Sequence, residues 1–225
     1  PLDRAVMAKL ALVIRQATDA LNAYEHSKAL EVIESFFWQF CDDYIELVKN
    51  RAYGTADAHG KVPSDAAVKS ARTTLGLGLD AFARLLAPYL PFATEEVWSW
   101  MHTGEGSVHR AAWPKADIYA AAATGASPET LAWAGKAVEQ LRKIKSEAKV
   151  SMKTPILSVT LAAVKDGIDA IKSALDDVAQ AGRVIGKFDL AEKHAEEAAA
   201  EGEGDDTVVI DASELGEPPA KKAKK

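Results

Sequence analysis

Residues 28–53 read KALEVIESFFWQFCDDYIELVKNRAY, and this stretch decides the fold. Large apolar side chains recur along it every three or four residues, which is the spacing of a single buried face on an α-helix. Five aromatic residues fall within nine positions, so this helix can bury a large surface against its neighbours. We therefore expect a long central helix in a bundle, with Phe37 and Trp38 inside the packed seam. The predicted buried face consists of Leu30, Ile33, Phe37, Phe40, Cys41, Tyr44 and Val48.

The composition indicates a folded chain with a core of its own. The protein has 225 residues, of which 48% are hydrophobic, which allows one large domain or two small ones. No apolar run is long enough to span a membrane, and the first residues form a charged amphipathic segment rather than a signal peptide. A single cysteine, Cys41, excludes a disulfide framework and a Cys-rich zinc site. We therefore expect a cytoplasmic protein with no membrane partner.

The rest of the sequence predicts a mainly α-helical protein, with an antiparallel helical bundle followed by a small C-terminal α/β appendage. A first helix over 3–23 has Asp3 as its expected N-cap. A helix over 64–87 contains Gly76 and Gly78, which we attribute to close approach of another backbone. Breaker-bounded runs at 156–162, 183–190 and 207–213 predict strands, and 167–181 predicts a helix between the first two. The predicted division is a bundle over 1–118, a small-residue linker over 119–126, a helix with an α/β subdomain over 127–218 that includes an acidic insert at 191–206, and a basic tail at 219–225.

Two motifs resemble the anticodon-binding bundle of class I aminoacyl-tRNA synthetases. The first, FFWQFCDDYIELVKNRAY at 36–53, is most similar to the valyl branch of the family. The second, LLAPYLPFATEEVW at 85–98, is similar to a run shared by the valyl, isoleucyl and leucyl branches. The resemblance covers residues 1–114 and, more loosely, 128–161. It implies a class Ia anticodon-binding bundle from the C-terminal region of a valyl-type synthetase, with valine tRNA as its partner.

The sequence contains no catalytic or metal-binding constellation. Its five histidines are scattered, with no pair at the spacing of metal ligands. The H-I-G-H and K-M-S-K-S motifs with which class I synthetases handle ATP are both missing. The resemblance therefore implies that ATP and Mg²⁺ bind a catalytic domain elsewhere in the parent enzyme. We expect no catalytic residue, metal ligand or cofactor in this chain, and we expect a monomer.

Two basic clusters are candidates for RNA contact, although the net charge of −6 confines such contacts to local patches and gives no reason to expect a DNA partner. Residues 136–153 hold six basic residues against two acidic ones. Arg142, Lys145 and Lys149 share one helix face there by their spacing, with Lys143 beside them, and such side chains bind phosphates. The second cluster ends the central helix at Lys49, Asn50, Arg51 and Tyr53, where an Arg or Tyr could stack on an unpaired anticodon base.

Two alternatives remain open. The same region of an isoleucyl-tRNA synthetase would share the second motif, although that region often carries a Cys-rich zinc site. A free-standing helical module that binds protein would share the composition and the helical pattern. Salt dependence separates the RNA-binding interpretation from the protein-binding one, because phosphate contacts weaken steeply as salt rises.

Overall fold

The computed structural model describes residues 1–193 and 207–217. It is mostly helical with a small sheet, so the predicted fold class is confirmed. Residues 194–206 and 218–225, which include most of the predicted acidic insert and the basic tail, lie outside the described part. The elements are α1 (Leu2–Asn22), α2 (His26–Gln39), a π-helical turn (Phe40–Tyr44), α3 (Ile45–Tyr53), α4 (Asp65–Leu86), α5 (Pro91–Met101), a 3₁₀ turn (Val108–Arg110), α6 (Ala116–Ala122), α7 (Glu129–Glu147), β1 (Ile156–Ala163), α8 (Lys165–Ser173), α9 (Leu175–Gly182), β2 (Val184–Glu192) and β3 (Val209–Leu215).

These elements group into two compact units that interleave along the chain. Unit 1 consists of Pro1–Ile45 and Ala66–Pro128, and unit 2 consists of Glu46–Asp65 and Glu129–Lys225. This grouping differs from the division predicted from the sequence, which assigned residues 46–65 to the bundle. The predicted linker over 119–126 also differs, because it holds the end of α6 and the buried side chain of Tyr119.

The central helix buries a face that differs from the predicted one near its middle. Phe36 is buried, whereas Phe37 is only partly buried and Trp38 is 54% exposed. The expectation that Trp38 lies inside the packed seam is therefore wrong. Its indole N–H points to the exposed carboxylate of Glu34, one turn earlier, at 3.4 Å. A π-helical turn, with its wider i→i+5 hydrogen bonding, follows at Phe40–Tyr44, and Phe40, Tyr44 and Val48 are buried as predicted.

Aromatic rings of the central helix pack around Phe82 of α4. The ring centroids of Phe36, Phe37 and Phe40 lie 5.7, 5.3 and 5.3 Å from that of Phe82. Gly78 contacts the same cluster, since a Cβ added there would lie 2.6 Å from the Phe40 ring. The predicted reason for this glycine, a neighbouring backbone, is wrong, because the neighbour is an aromatic side chain. Gly76 has open space where its Cβ would be.

A buried carboxylate connects three elements of unit 1. Asp3 is not the N-cap that the sequence predicts, because α1 already begins at Leu2. Its Oδ1 accepts a hydrogen bond from the Tyr44 hydroxyl at 2.8 Å, and its Oδ2 accepts one from the Ser70 hydroxyl. A buried carboxylate is stable only when its oxygens are hydrogen-bonded. Asp3 therefore fixes α1 against the π-helical turn and against α4.

Unit 2 is built on a three-stranded sheet in the order β2–β1–β3. β1 pairs in parallel with β2 and antiparallel with β3, as shown by the pairs Val159–Phe188 and Leu161–Ile210. The parallel connection runs through α8 and α9, where the sequence predicted one helix, and the two are separated at Ala174. Apolar side chains buried on these elements and on α7 form the core of the unit, among them Val138, Leu141, Ile156, Val159, Leu161, Ile171 and Val178.

The aromatic cluster yields a stability prediction. Phe36→Ala should lower the free energy of unfolding by about 3–5 kcal/mol, because it empties a buried ring position. Trp38→Ala on the same helix is the matched control, and its effect should stay within about 1 kcal/mol, since the indole is largely in solvent. Chemical denaturation followed by far-UV circular dichroism measures both changes. Equal losses in the two variants would show that the buried face is assigned incorrectly.

Candidate nucleic-acid interface

The two basic clusters predicted from the sequence meet in unit 2 at the carboxylate of Glu46. Its Oε2 lies 2.7 Å from Nζ of Lys49 and 3.2 Å from an Nη of Arg142. All three side chains are partly exposed, so they belong to one solvent-accessible surface patch. Lys49 in the middle of α3 and Arg142 in the C-terminal half of α7 therefore lie close together. The sequence does not show this proximity, because Glu46 and Arg142 are 96 residues apart in the chain.

Arg51 is held within unit 2 by a two-pronged ion pair with Asp177. Its Nε and one Nη donate to the two carboxylate oxygens at 2.9 and 3.0 Å. The side chains are only 15% and 14% exposed, which makes this pair stronger than an ordinary surface ion pair. The guanidinium is thus engaged with Asp177 rather than turned to an incoming base. Tyr53, one half-turn further along α3, is 80% exposed, and Asn50 is partly exposed.

Lys145 lies in the interior of unit 2. Its side chain is 2% exposed, and Nζ donates to the carbonyl oxygens of Gly182 at 2.7 Å and Met152 at 3.3 Å. Burial, together with the positive charges of Arg183 and Arg142, lowers the pKa of this amine to about 8. The expectation that Lys145 shares a solvent-facing surface with Arg142 and Lys149 is therefore wrong. Helical spacing places residues on a face, but it does not reveal that another helix covers that face.

Two of the remaining predicted cations are exposed, and the structure adds a third. Lys143 and Lys149 are exposed, the latter just beyond the end of α7. Arg183 is exposed next to the buried Lys145 and was not singled out from the sequence. The sequence analysis placed Arg183 at the start of the strand predicted over 183–190, outside both basic clusters, whereas it lies at the corner between α9 and β2.

Metal binding, thiol reactivity and a membrane-spanning helix find no support in the residues that the structure describes. Within residues 1–193 and 207–217, no group of three or more His, Cys, Asp or Glu side chains is arranged to hold a metal ion. Burial raises the pKa of the Cys41 thiol, and the neighbouring charge of Asp42 raises it further, so the reactive thiolate is disfavoured. None of the helices described is long and apolar enough to cross a membrane.

Comparison with known proteins identifies the family. The family described as the anticodon-binding domain of tRNA ligase matches residues 3–161. The chain belongs to this family. The resemblance seen in the two motifs is therefore confirmed, and the matched range of the anticodon-binding domain includes both predicted basic clusters.

Relatives of this anticodon-binding domain are valine–tRNA ligases. The enzyme of Bifidobacterium longum strain NCC 2705 is 80% identical over 224 residues, covering 100% of this chain and 25% of the ligase. Those of Leifsonia xyli and Thermobifida fusca are each 46% identical, over 185 and 186 residues, covering 82% of this chain and 20% of the ligase. The chain thus spans about a quarter of the length of the Bifidobacterium longum enzyme. These relatives do not favour the isoleucyl alternative.

The lowered pKa of Lys145 predicts a pH-dependent stability. The unfolded chain binds a proton at this amine up to about pH 10.5, whereas the folded chain releases it near pH 8. Between these values unfolding takes up a proton, so the contribution of Lys145 to the free energy of unfolding rises with pH. The gain from pH 7.5 to 9.5 should be about 2 kcal/mol.

Denaturation of the wild type and of Lys145→Met at both pH values measures this contribution. The free energy of unfolding of the wild type, relative to that of Lys145→Met, should be higher at pH 9.5 than at pH 7.5. Lys143→Met, which replaces an exposed lysine of the same helix, is the control and should show a difference that does not vary with pH. A pH-independent difference for Lys145→Met would contradict the prediction.

Proposed function

We propose that this anticodon-binding domain positions valine tRNA for a valine–tRNA ligase. A catalytic domain elsewhere in that enzyme would join valine to the tRNA with ATP and Mg²⁺, and no residue of this chain takes a catalytic role. The observation that carries the proposal is the family match over residues 3–161, and the 80% identity to a valine–tRNA ligase supports the choice of amino acid. We also propose that the enzyme is cytoplasmic and monomeric and has no membrane or DNA partner.

The exposed cations of unit 2 are the surface that we assign to tRNA phosphates. This surface consists of Lys49, Arg142, Lys143 and Lys149. Ammonium and guanidinium groups neutralise phosphates without reading bases, so they supply affinity and orientation rather than specificity.

Tyr53 is the residue that we assign to an unpaired base of the anticodon loop. Its ring is exposed, and bases of single-stranded RNA loops commonly stack on such rings. Arg51 supports it indirectly, because its ion pair with Asp177 anchors the last turn of α3. Asn50 lies in the same turn and can donate or accept a hydrogen bond to a base edge.

The phosphate-binding assignment predicts a specific change in salt dependence. Arg142→Ala, Lys143→Ala and Lys149→Ala together should weaken tRNA binding, and the slope of log affinity against log salt should flatten by up to about 2. The loss should be similar for valine tRNA and for a non-cognate tRNA, because phosphates carry no sequence information. Fluorescence titration at several salt concentrations measures both quantities.

The matched control removes three exposed cations of unit 1, namely Lys69, Arg110 and Lys115. That variant should bind as the wild type does. Tyr53→Ala should behave in a third way, weakening valine tRNA more than the non-cognate tRNA. An unchanged salt slope in the unit 2 variant would mean that its cations are merely solvated, and salt-independent binding by the wild type would favour the protein-interaction module instead.

Removing the charge of Glu46 should strengthen tRNA binding, whereas the substitutions above should weaken it. Its carboxylate holds Lys49 and Arg142 and so competes with phosphate for both cations. Glu46→Gln keeps the side-chain shape but removes the charge, so tRNA binding should tighten roughly twofold to fivefold and its salt slope should steepen. Asp169→Asn, at an exposed acid of α8 in the same unit, is the control. In a Lys49→Ala, Arg142→Ala background the gain should vanish, and a gain that persists there would refute the competition.

A further inference from the structure

Two helices of unit 2 end in left-handed corners that carry a long cation where glycine is common. Lys149 follows α7 with φ 54°, and Arg183 follows α9 with φ 57°. Among the residues that the structure describes, Tyr24 is the one other non-glycine residue with positive φ. A Cβ makes this conformation unfavourable, so helices usually place glycine at such a corner. Both Lys149 and Arg183 are exposed, so packing of their side chains does not explain the choice.

The buried Lys145 is bonded to both corners. Its backbone carbonyl oxygen accepts a hydrogen bond from the N–H of Val150 at 3.0 Å, which closes the corner at Lys149. Its ammonium donates to the carbonyl oxygen of Gly182, the residue that precedes Arg183. The carbonyl oxygen of Arg183 in turn accepts from the N–H of Ile156 at 2.9 Å. Hydrogen bonds therefore fix the backbone at each corner, and with it the direction in which each cationic side chain leaves the chain.

The helix dipole explains only part of this arrangement. Positive charge is favourable near the negative C-terminal end of a helix. A lysine or arginine inside the last turn would give the same benefit in ordinary helical conformation, and the corner could then be glycine. At the amine of Lys145, a residue to which both corners are hydrogen-bonded, the positive charges of Arg183 and Arg142 create a field that opposes a further positive charge. Such a field favours an anionic ligand.

We propose that Lys149 and Arg183 are paired phosphate-binding residues that grip the tRNA backbone from two rigid corners. This inference rests on the proposed function, and it extends the RNA-binding surface beyond residue 161, where the family match ends. The ligand chemistry is the ribose-phosphate backbone rather than the bases, since an ammonium and a guanidinium on fixed backbone contact phosphates without reading sequence.

Glycine substitution separates a ligand-binding role from a structural one. Arg183→Gly and Lys149→Gly both relax a left-handed corner, so each should keep or raise the unfolding temperature of the full chain. Each should also weaken binding of valine tRNA and of a non-cognate tRNA alike, roughly threefold to tenfold, as expected for one charge-assisted contact. The slope of log affinity against log salt should flatten by roughly 0.7–0.9 per substitution.

Two further variants complete the test. Tyr24→Gly relaxes the third left-handed corner without removing a charge, so it should leave the salt slope unchanged. Arg183→Lys keeps the charge and should retain most of the affinity. If the wild type binds tRNA but both glycine variants bind equally well with unchanged slopes, the corner proposal fails, and the proposed function stands with Lys149 removed from its phosphate-binding surface. If the wild type shows no salt-dependent tRNA binding, the proposed function itself fails.

Discussion

The buried ammonium of Lys145 is the interaction on which unit 2 depends. An amine removed from water is costly unless carbonyl oxygens replace the lost solvent. The carbonyls of Gly182 and Met152 supply part of that replacement, and through them one side chain joins α7 to the end of α9 and to the turn before β1. β1 and β2 both begin within a few residues of these carbonyls. The same hydrogen bonds therefore hold the two segments that lead into the parallel strands.

The fold class could be predicted from the sequence because helical periodicity and short breaker-bounded runs are local signals. The identity of the buried residues could not always be predicted, since Phe36 and Phe37 both fit the apolar stripe. Phe40, Tyr44 and Val48 are buried as the stripe predicts, although the sequence does not reveal the π-helical turn at Phe40–Tyr44. Trp38 lies before that turn and is exposed, because a run of adjacent aromatic residues does not show which of them faces the core.

The candidate interface shows the same limit at longer range. The sequence marks basic residues in two places, and their adjacency depends on Glu46, whose two partners lie 3 and 96 residues away. Arg51 could be identified as a cation but not as the partner of Asp177, 126 residues further on. Lys145 fits a basic helix face by spacing, yet α9 covers it. The sequence thus shows which residues are charged. Whether a ligand can reach them depends on elements that are distant in the chain.

The interleaving of the two units has a practical consequence for anyone who wishes to study one of them alone. Residues 46–65 belong to unit 2 although unit 1 supplies the chain on either side of them. A shortened chain that stops at residue 128 would keep Glu46 and Arg51 but discard their partners Arg142 and Asp177. A fragment beginning at residue 129 would keep Arg142 and Asp177 but lack Glu46 and Arg51. A single cut therefore yields neither unit intact, and an isolated unit 2 requires residues 46–65 to be spliced to residue 129 through a new connection.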